Sequence, residues 1–455
     1  MRMSPFFVVG VVLVVAAAAN STPAVAQSGT TRLAVAYEEF TLPNGLHVIL
    51  HRDTSTPVVA VNVWYHVGSG SEKPGRTGFA HLFEHLMFEG SKHVPEGAFD
   101  TWLESAGADN NGSTTVDRTN YYIDGPSNAL ELMLFLESDR MGFLLDSMSP
   151  ERVNGQRDVV KNERRQSIEN RPYGMPELEL DALLYPKGHP YSWSTIGSME
   201  DLSAASHEDV QQFFRTFYAP NNASLVIAGD LDYGRTRALV ERWFSDVPAG
   251  KPVPPPAAPP AMLTEVTRKT MTDKVQLPRL YLAWLTPGAY RPGDAVLDVV
   301  SSLLAGGKNS RLYKRLVYEL QIAQDVSAYQ QSQMLGSNFM IVATARPGKD
   351  LADIQKVIDE EVATLAATPP EPRELERALN QLEATFLRQA ERVGGFNGKA
   401  NQLNSYYTQT GTPDFFNEDL ARYRSLDAAD ISSAVRNFLP RDRRVELVVM
   451  PEEKR

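Results

Sequence analysis

Between Gly250 and Pro260 the chain reads GKPVPPPAAPP, and neither a helix nor a strand interior can be built on that run. Proline has no amide donor and a fixed φ, so the segment favours extended polyproline geometry and reads as a linker. It divides the chain into two halves of similar size, residues 33–248 and 263–455, with the linker at 249–262. The halves also share a pattern. Pro57 opens the apolar run VVAVNVWY in the first, and Pro278 opens RLYLAWL in the second. Each run leads through a Gly/Pro-rich loop to an apolar helical stretch, Ala295 to Leu304 in the second half. Each half closes alike: Leu202-Ser-Ala-Ala, a helix, Phe217-Tyr-Ala-Pro220 and the strand 223–228, against Leu426-Asp-Ala-Ala, a helix, Phe438-Leu-Pro440 and the strand 445–450. The expected fold class is therefore α+β: a diverged duplication of two homologous α/β-sandwich domains joined by the proline-rich linker.

The first residues stand apart. Arg2 precedes the apolar run Phe6 to Ala19, and Ala24-Val25-Ala26 places small residues at a cleavage position. The run is short for a spanning helix of roughly 20 residues, so residues 1–26 read as a signal peptide, with mature chain beginning near Gln27. An exported, periplasmic or secreted protein follows, with no stable membrane insertion once the signal is removed. A net charge of −11 without a dense basic run argues against nucleic acid as a partner. The chain has no cysteine, which excludes a disulfide framework.

Chemistry concentrates in His81-Leu82-Phe83-Glu84-His85. Two histidines four apart stand on one face of a helix and can reach a single zinc ion. Glu84 falls close to that face, within reach of a water on the metal. The order H-x-x-E-H is the inverted form of the zinc-peptidase pattern. All eight histidines lie at or before His207, so the second half cannot build a histidine site and one zinc per chain is expected. His47, His51, His66, His93, His189 and His207 read as structural or surface residues. Gly306-Gly307-Lys308 lacks the earlier glycine of a phosphate loop and reads as a turn.

Catalytic zinc needs a third protein ligand and an open position. A candidate lies on the helix that opens at Ser149-Pro150-Glu151, with a serine N-cap and proline at N1, and runs through Glu163. Taken alone, Glu163 reads more readily as a solvated helix residue pairing with Arg157 or Arg164 than as a ligand. Asn44-Gly45 marks a hairpin between 38–42 and 46–51. The polar run Asp109 to Thr115, followed by an alternating strand 118–123, is either an ordinary hairpin or a sheet edge able to pair with an extended peptide.

Together these residues resemble the pitrilysin/insulinase family of zinc metallopeptidases, in its short bacterial, processing-peptidase-like branch. The resemblance rests on Leu42-Pro-Asn-Gly-Leu46, on Gly78 to Phe88 around the zinc motif, on Asp158 to Arg164, and on the duplicated second half. It implies that His81, His85 and Glu163 are zinc ligands and that Glu84 is the general base. It further implies that Asn110, Asn111, Gly112, Ser113 and Thr114 form a substrate-pairing edge strand, and that the substrate is a peptide or unfolded polypeptide.

Two departures bear on activity. The family carries a glutamate two helical turns before the third ligand, where this chain has Gln156, which predicts weaker metal affinity or water activation. Self-sufficient members also carry an arginine and a tyrosine in the second half, where this chain has Val317 and Gln324. Valine cannot donate to a substrate carbonyl, and glutamine is a weaker oxyanion donor than a phenol. The resemblance therefore implies the zinc-bearing subunit of a heterodimer whose homologous, metal-free partner supplies that pair. A homodimer using residues such as Arg311 or Tyr318, and a non-catalytic assembly subunit, are the alternatives.

Overall fold

The computed structural model describes residues Arg32–Glu452, and Val35 onward forms one compact unit. The expected signal peptide lies outside the described residues. Among the described residues no helix is long and apolar enough to cross a membrane. Residues 248–264 carry neither helix nor strand.

The first half contributes β1 (Glu38–Thr41), β2 (His47–Arg52), β3 (Val58–Tyr65), β4 (Asp109–Thr114), β5 (Thr119–Pro126) and β6 (Ala223–Gly229). The second contributes β7 (Thr267–Asp273), β8 (Arg279–Thr286), β9 (Ala323–Gln331), β10 (Ser337–Ala345) and β11 (Val445–Pro451). The sheets run β1-β2-β6-β3-β5-β4 and β7-β11-β8-β10-β9. Apart from the hairpin strand β1, joined to β2 through Gly45 at φ 89°, the two orders are the same. Even the single parallel pairing recurs in place, β2 with β6 and β7 with β11. The duplication legible in the sequence is thus a duplication of sheet topology.

Among the helices, α1 (Phe79–Leu86), α2 (Pro150–Arg164) and α3 (Met175–Leu184) belong to the first half. Helices α4 (Asp294–Ala305), α5 (Pro372–Glu391) and α6 (Lys399–Thr410) belong to the second. Helix α1 follows a left-handed glycine, Gly78 at φ 88°, and α4 follows Gly293 at φ 101°. Counting from these glycines, Val296, Val299 and Val300 stand where the first half has His81, Glu84 and His85. All three valines are buried in the second hydrophobic core. The second copy has filled the motif face with packing residues.

Each sheet packs its own helices on one face and borrows a helix from the other half on the opposite face. Leu180 and Leu184 of α3 pack with Tyr281, Ala283, Val445, Leu447 and Val449 of β8 and β11. In return α6 lies on the first sheet, where Asn404 donates to the Asn62 carbonyl and accepts from the Ser224 hydroxyl. Central strands are therefore covered on both sides, and β6 is buried along its whole length. This corrects the expected alternation in 118–123: Thr119 to Ile123 are all buried, because a strand sandwiched between two layers has no solvent face.

Candidate metal centre

Helix α1 buries Phe79, Ala80, Leu82, Phe83 and Leu86 and turns His81, Glu84 and His85 away from that core. Its N-terminus is held by a residue the sequence reading missed. The Glu72 carboxylate accepts from the amides of Gly78 (2.9 Å) and Ala80 (2.8 Å), satisfying donors that an α-helix leaves orphaned in its first turn. Burial pushes the Glu72 carboxyl up to about 8, against the amides that pull it down. Nothing local in the sequence marks it, because it caps across a loop rather than from the N-cap position.

Helix α2 begins as read from the sequence, with Pro150 in its first turn and the Ser149 hydroxyl accepting from Arg152 N at 3.3 Å. It carries Glu163 to the two histidines. Glu163 Oε2 lies 3.2 Å from His85 Nε2 and 3.6 Å from His81 Nε2. One ligand atom from each residue falls within 4.8 Å of the others, the one such cluster of three among the described residues. Arg157 and Arg164 point elsewhere, to the carbonyls of Ala205 and Gly197, so the solvated ion-pair role for Glu163 fails. Burial lowers the His81 pKa, which favours the neutral imidazole that a metal requires. The hydrogen bond from His85, ahead of burial, keeps Glu163 ionised. Two imidazole nitrogens and a carboxylate converging from two helices fit a divalent zinc ion.

The other six histidines are engaged away from this cluster. Their neighbours are Glu39 for His47, the Ala36 carbonyl for His51, Ser224 for His66, Asp139 for His93, the Tyr191 amide for His189 and the Met148 carbonyl for His207.

Strand β4 is a sheet edge, paired with β5 alone. The Thr115 amide donates to the Arg118 carbonyl across the hairpin. By antiparallel alternation, Asp109, Asn111 and Ser113 turn their main-chain groups to β5, while Asn110, Gly112 and Thr114 turn theirs to the open side. The polar side chains of this run are already committed. Asn110 donates to Asp100, Asn111 accepts from the Gly112 amide, and Ser113 donates to Asn120. Thr114 Oγ1 donates to Glu84 Oε2 at 2.6 Å, so the edge strand touches the candidate base directly. A methyl group on Gly112 would sit 3.2 Å from Glu84 Cγ.

In the second half, Val317 packs against the core and Gln324 is exposed on β9. Arg311 makes two hydrogen bonds to the Glu374 carboxylate, at 2.8 and 2.7 Å. The Tyr318 side chain is exposed.

Comparison with known proteins agrees with this geometry. A family model described as "Insulinase (Peptidase family M16)" matches residues 47–184, and one described as "Peptidase M16 inactive domain" matches residues 204–382. The chain is 30% identical over 359 residues to the zinc protease PqqE of Helicobacter pylori, spanning 78% of this chain and 80% of that one. The crystal structure of a protease from Helicobacter pylori superposes with a TM-score of 0.86 at 26% identity, covering 92% of this chain and all of that one. The periplasmic protease PqqL of Escherichia coli shares the fold, with a TM-score of 0.76 at 19% identity over 93% of this chain and 48% of PqqL. The chain belongs to the M16, or insulinase, family of peptidases, and its fold is the two-domain fold of that family.

Proposed function

We propose that this chain is an exported zinc endopeptidase that cleaves peptides or unfolded polypeptides, with His81, His85 and Glu163 as its zinc ligands and Glu84 as its general base. The observation that carries the reading is the convergence of three donor atoms from two helices beside a glutamate held against an open sheet edge. When bound, zinc lowers the pKa of water toward ~7 and polarises a carbonyl. Glu84 takes the proton of the attacking water and returns it to the leaving amine. The outward main-chain groups of β4, with the Gly112 amide released from Asn111, bind the substrate as an added strand, which holds the scissile bond beside Glu84 with little demand on side-chain identity. Residues 33–248 form the catalytic domain and residues 263–455 the metal-free copy.

The same reading assigns the chain to the zinc-bearing side of a heterodimer. Support comes from Val317 and Gln324, and from the commitment of Arg311 to Glu374. The exposed Tyr318 is what favours the homodimer alternative. Export rests on residues 1–26 and on the likeness to a periplasmic protease.

The test is hydrolysis of a quenched fluorescent peptide by the zinc-loaded chain, alone and with a homologous subunit lacking H-x-x-E-H. Poor turnover alone, restored by the partner, is expected, and Glu84→Gln should lower it by ~10²–10⁴-fold with zinc retained. Full turnover by the isolated chain removes the need for a partner, and unchanged turnover in Glu84→Gln removes the base.

A further inference from the structure

Gln156 stands seven residues before Glu163 on α2, two turns or roughly 10 Å along the helix. Its amide nitrogen donates to Glu89 Oε1 at 2.6 Å. Glu89 lies four residues beyond His85, where α1 tightens into a turn through the bonds Phe88 N to His85 O and Glu89 N to Leu86 O. The contact therefore joins the two helices that carry the three candidate ligands.

Both residues are half-buried, and an amide cannot neutralise the carboxylate it holds. The charged groups around Glu89 are Glu96 and Asp100, which oppose its ionisation, and Arg152 and His85, which favour it. Arg152 is shared with Glu96 and with the Ser147 carbonyl. A carboxylate desolvated among like charges is retained at a cost unless a strong positive charge is near. The dication expected between His81, His85 and Glu163 would be such a charge.

We propose that Glu89 is a positioning residue of the metal centre: held by Gln156, it braces α1 against α2 and places a negative charge one turn from His85. This rests on the zinc reading above, and it revises the expectation from sequence that Gln156 leaves the site short of charge. The acidic group is supplied from α1's end of the contact, with the amide on α2, in place of a carboxylate on α2 itself.

The experiment measures zinc affinity of the chelator-stripped full chain by competition with a chromogenic chelator, a readout independent of catalysis. Glu89→Gln is expected to weaken binding by roughly 10-fold or more, as removal of an outer-shell partner does. The exchange variant Glu89→Gln/Gln156→Glu, which restores one carboxylate and one amide at the same contact, is expected to regain most of the loss. Zinc affinity in Glu89→Gln within twofold of the parent overturns the proposal, as does an exchange variant no tighter than Glu89→Gln. Should Glu89→Gln lose its helical circular dichroism, Gln156→Met severs the same contact while keeping the carboxylate, and unchanged affinity there overturns the brace. A parent chain that binds no zinc instead refutes the underlying reading of the site.

Discussion

The exchange of helices between the halves makes Asn404 a test of how the two sheets are held together. Asn404 is fully buried on α6. Its amide donates to Asn62 Oδ1 at 2.9 Å and to the Asn62 carbonyl at 3.0 Å, and its oxygen accepts from Ser224 Oγ at 2.5 Å. Leucine fills a similar volume but makes none of these bonds. The Ser224 hydroxyl has a second neighbour in His66 Nε2 at 3.2 Å and recovers part of its loss. Asn62 does not: its Nδ2 is buried without a partner already, so its side chain is left wholly unsatisfied. A buried polar group so stranded costs about 1–3 kcal/mol, and the weakened Ser224 bond adds about 1. Asn404→Leu should therefore destabilise the chain by ~2–4 kcal/mol in urea unfolding. Trp64, whose indole donates to Asn401 one turn earlier on α6, serves as a fluorescent reporter at the contact. Replacing both sides removes the stranded group, so Asn62→Val/Asn404→Leu should be more stable than Asn404→Leu alone by at least about 1 kcal/mol. A loss below about 1 kcal/mol in Asn404→Leu, or strictly additive losses in the double variant, would refute the claim that this contact couples the halves.

Other perturbations probe the site and its surroundings. Gly112→Ala places a methyl 3.2 Å from Glu84 Cγ and 3.1 Å from Tyr121, so Glu84 must shift by a few tenths of an ångström; on the proposed function, peptide turnover should fall about 10-fold with zinc content unchanged. Thr114→Val removes the hydrogen bond to Glu84 and should lower kcat more than it raises KM, whereas Thr114→Ser should restore most of the loss. Burial, then the charge of His47, pushes the His66 pKa down to about 4, so the unfolded chain binds that proton more tightly. Stability should consequently fall as pH drops from about 6.5 toward 4, by up to about 3 kcal/mol, and His66→Gln should flatten the pH dependence of the unfolding midpoint over that window.

Much of this was legible in the chain because local chemistry announces it. The Ser149-Pro150 start of α2 and the Asn44-Gly45 turn are short-range signals, and both helix and hairpin form where they indicate. The shared face of His81, Glu84 and His85 follows from helical periodicity, and their proposed roles from the H-x-x-E-H pattern and the family resemblance. Glu163 is 78 residues beyond His85, a separation no spacing rule bridges, and in the sequence only the family resemblance points to it. Glu72 and the Glu89–Gln156 contact were invisible for the same reason: each acts across a loop or between helices, where partners are set by packing. The alternation expected for 118–123 fails because the helix covering Thr119 to Ile123 comes from the other half. A period-2 expectation presupposes a solvent face that the exchanged helix removes.

Metal stoichiometry reaches the central claim most directly. Equilibrium dialysis of the chelator-stripped chain against zinc at neutral pH should give one tightly bound zinc per chain, lost in His85→Ala and in Glu163→Ala while both variants remain folded. Zinc bound no better by the parent than by these variants would contradict the metallopeptidase reading and leave a scaffold subunit in its place.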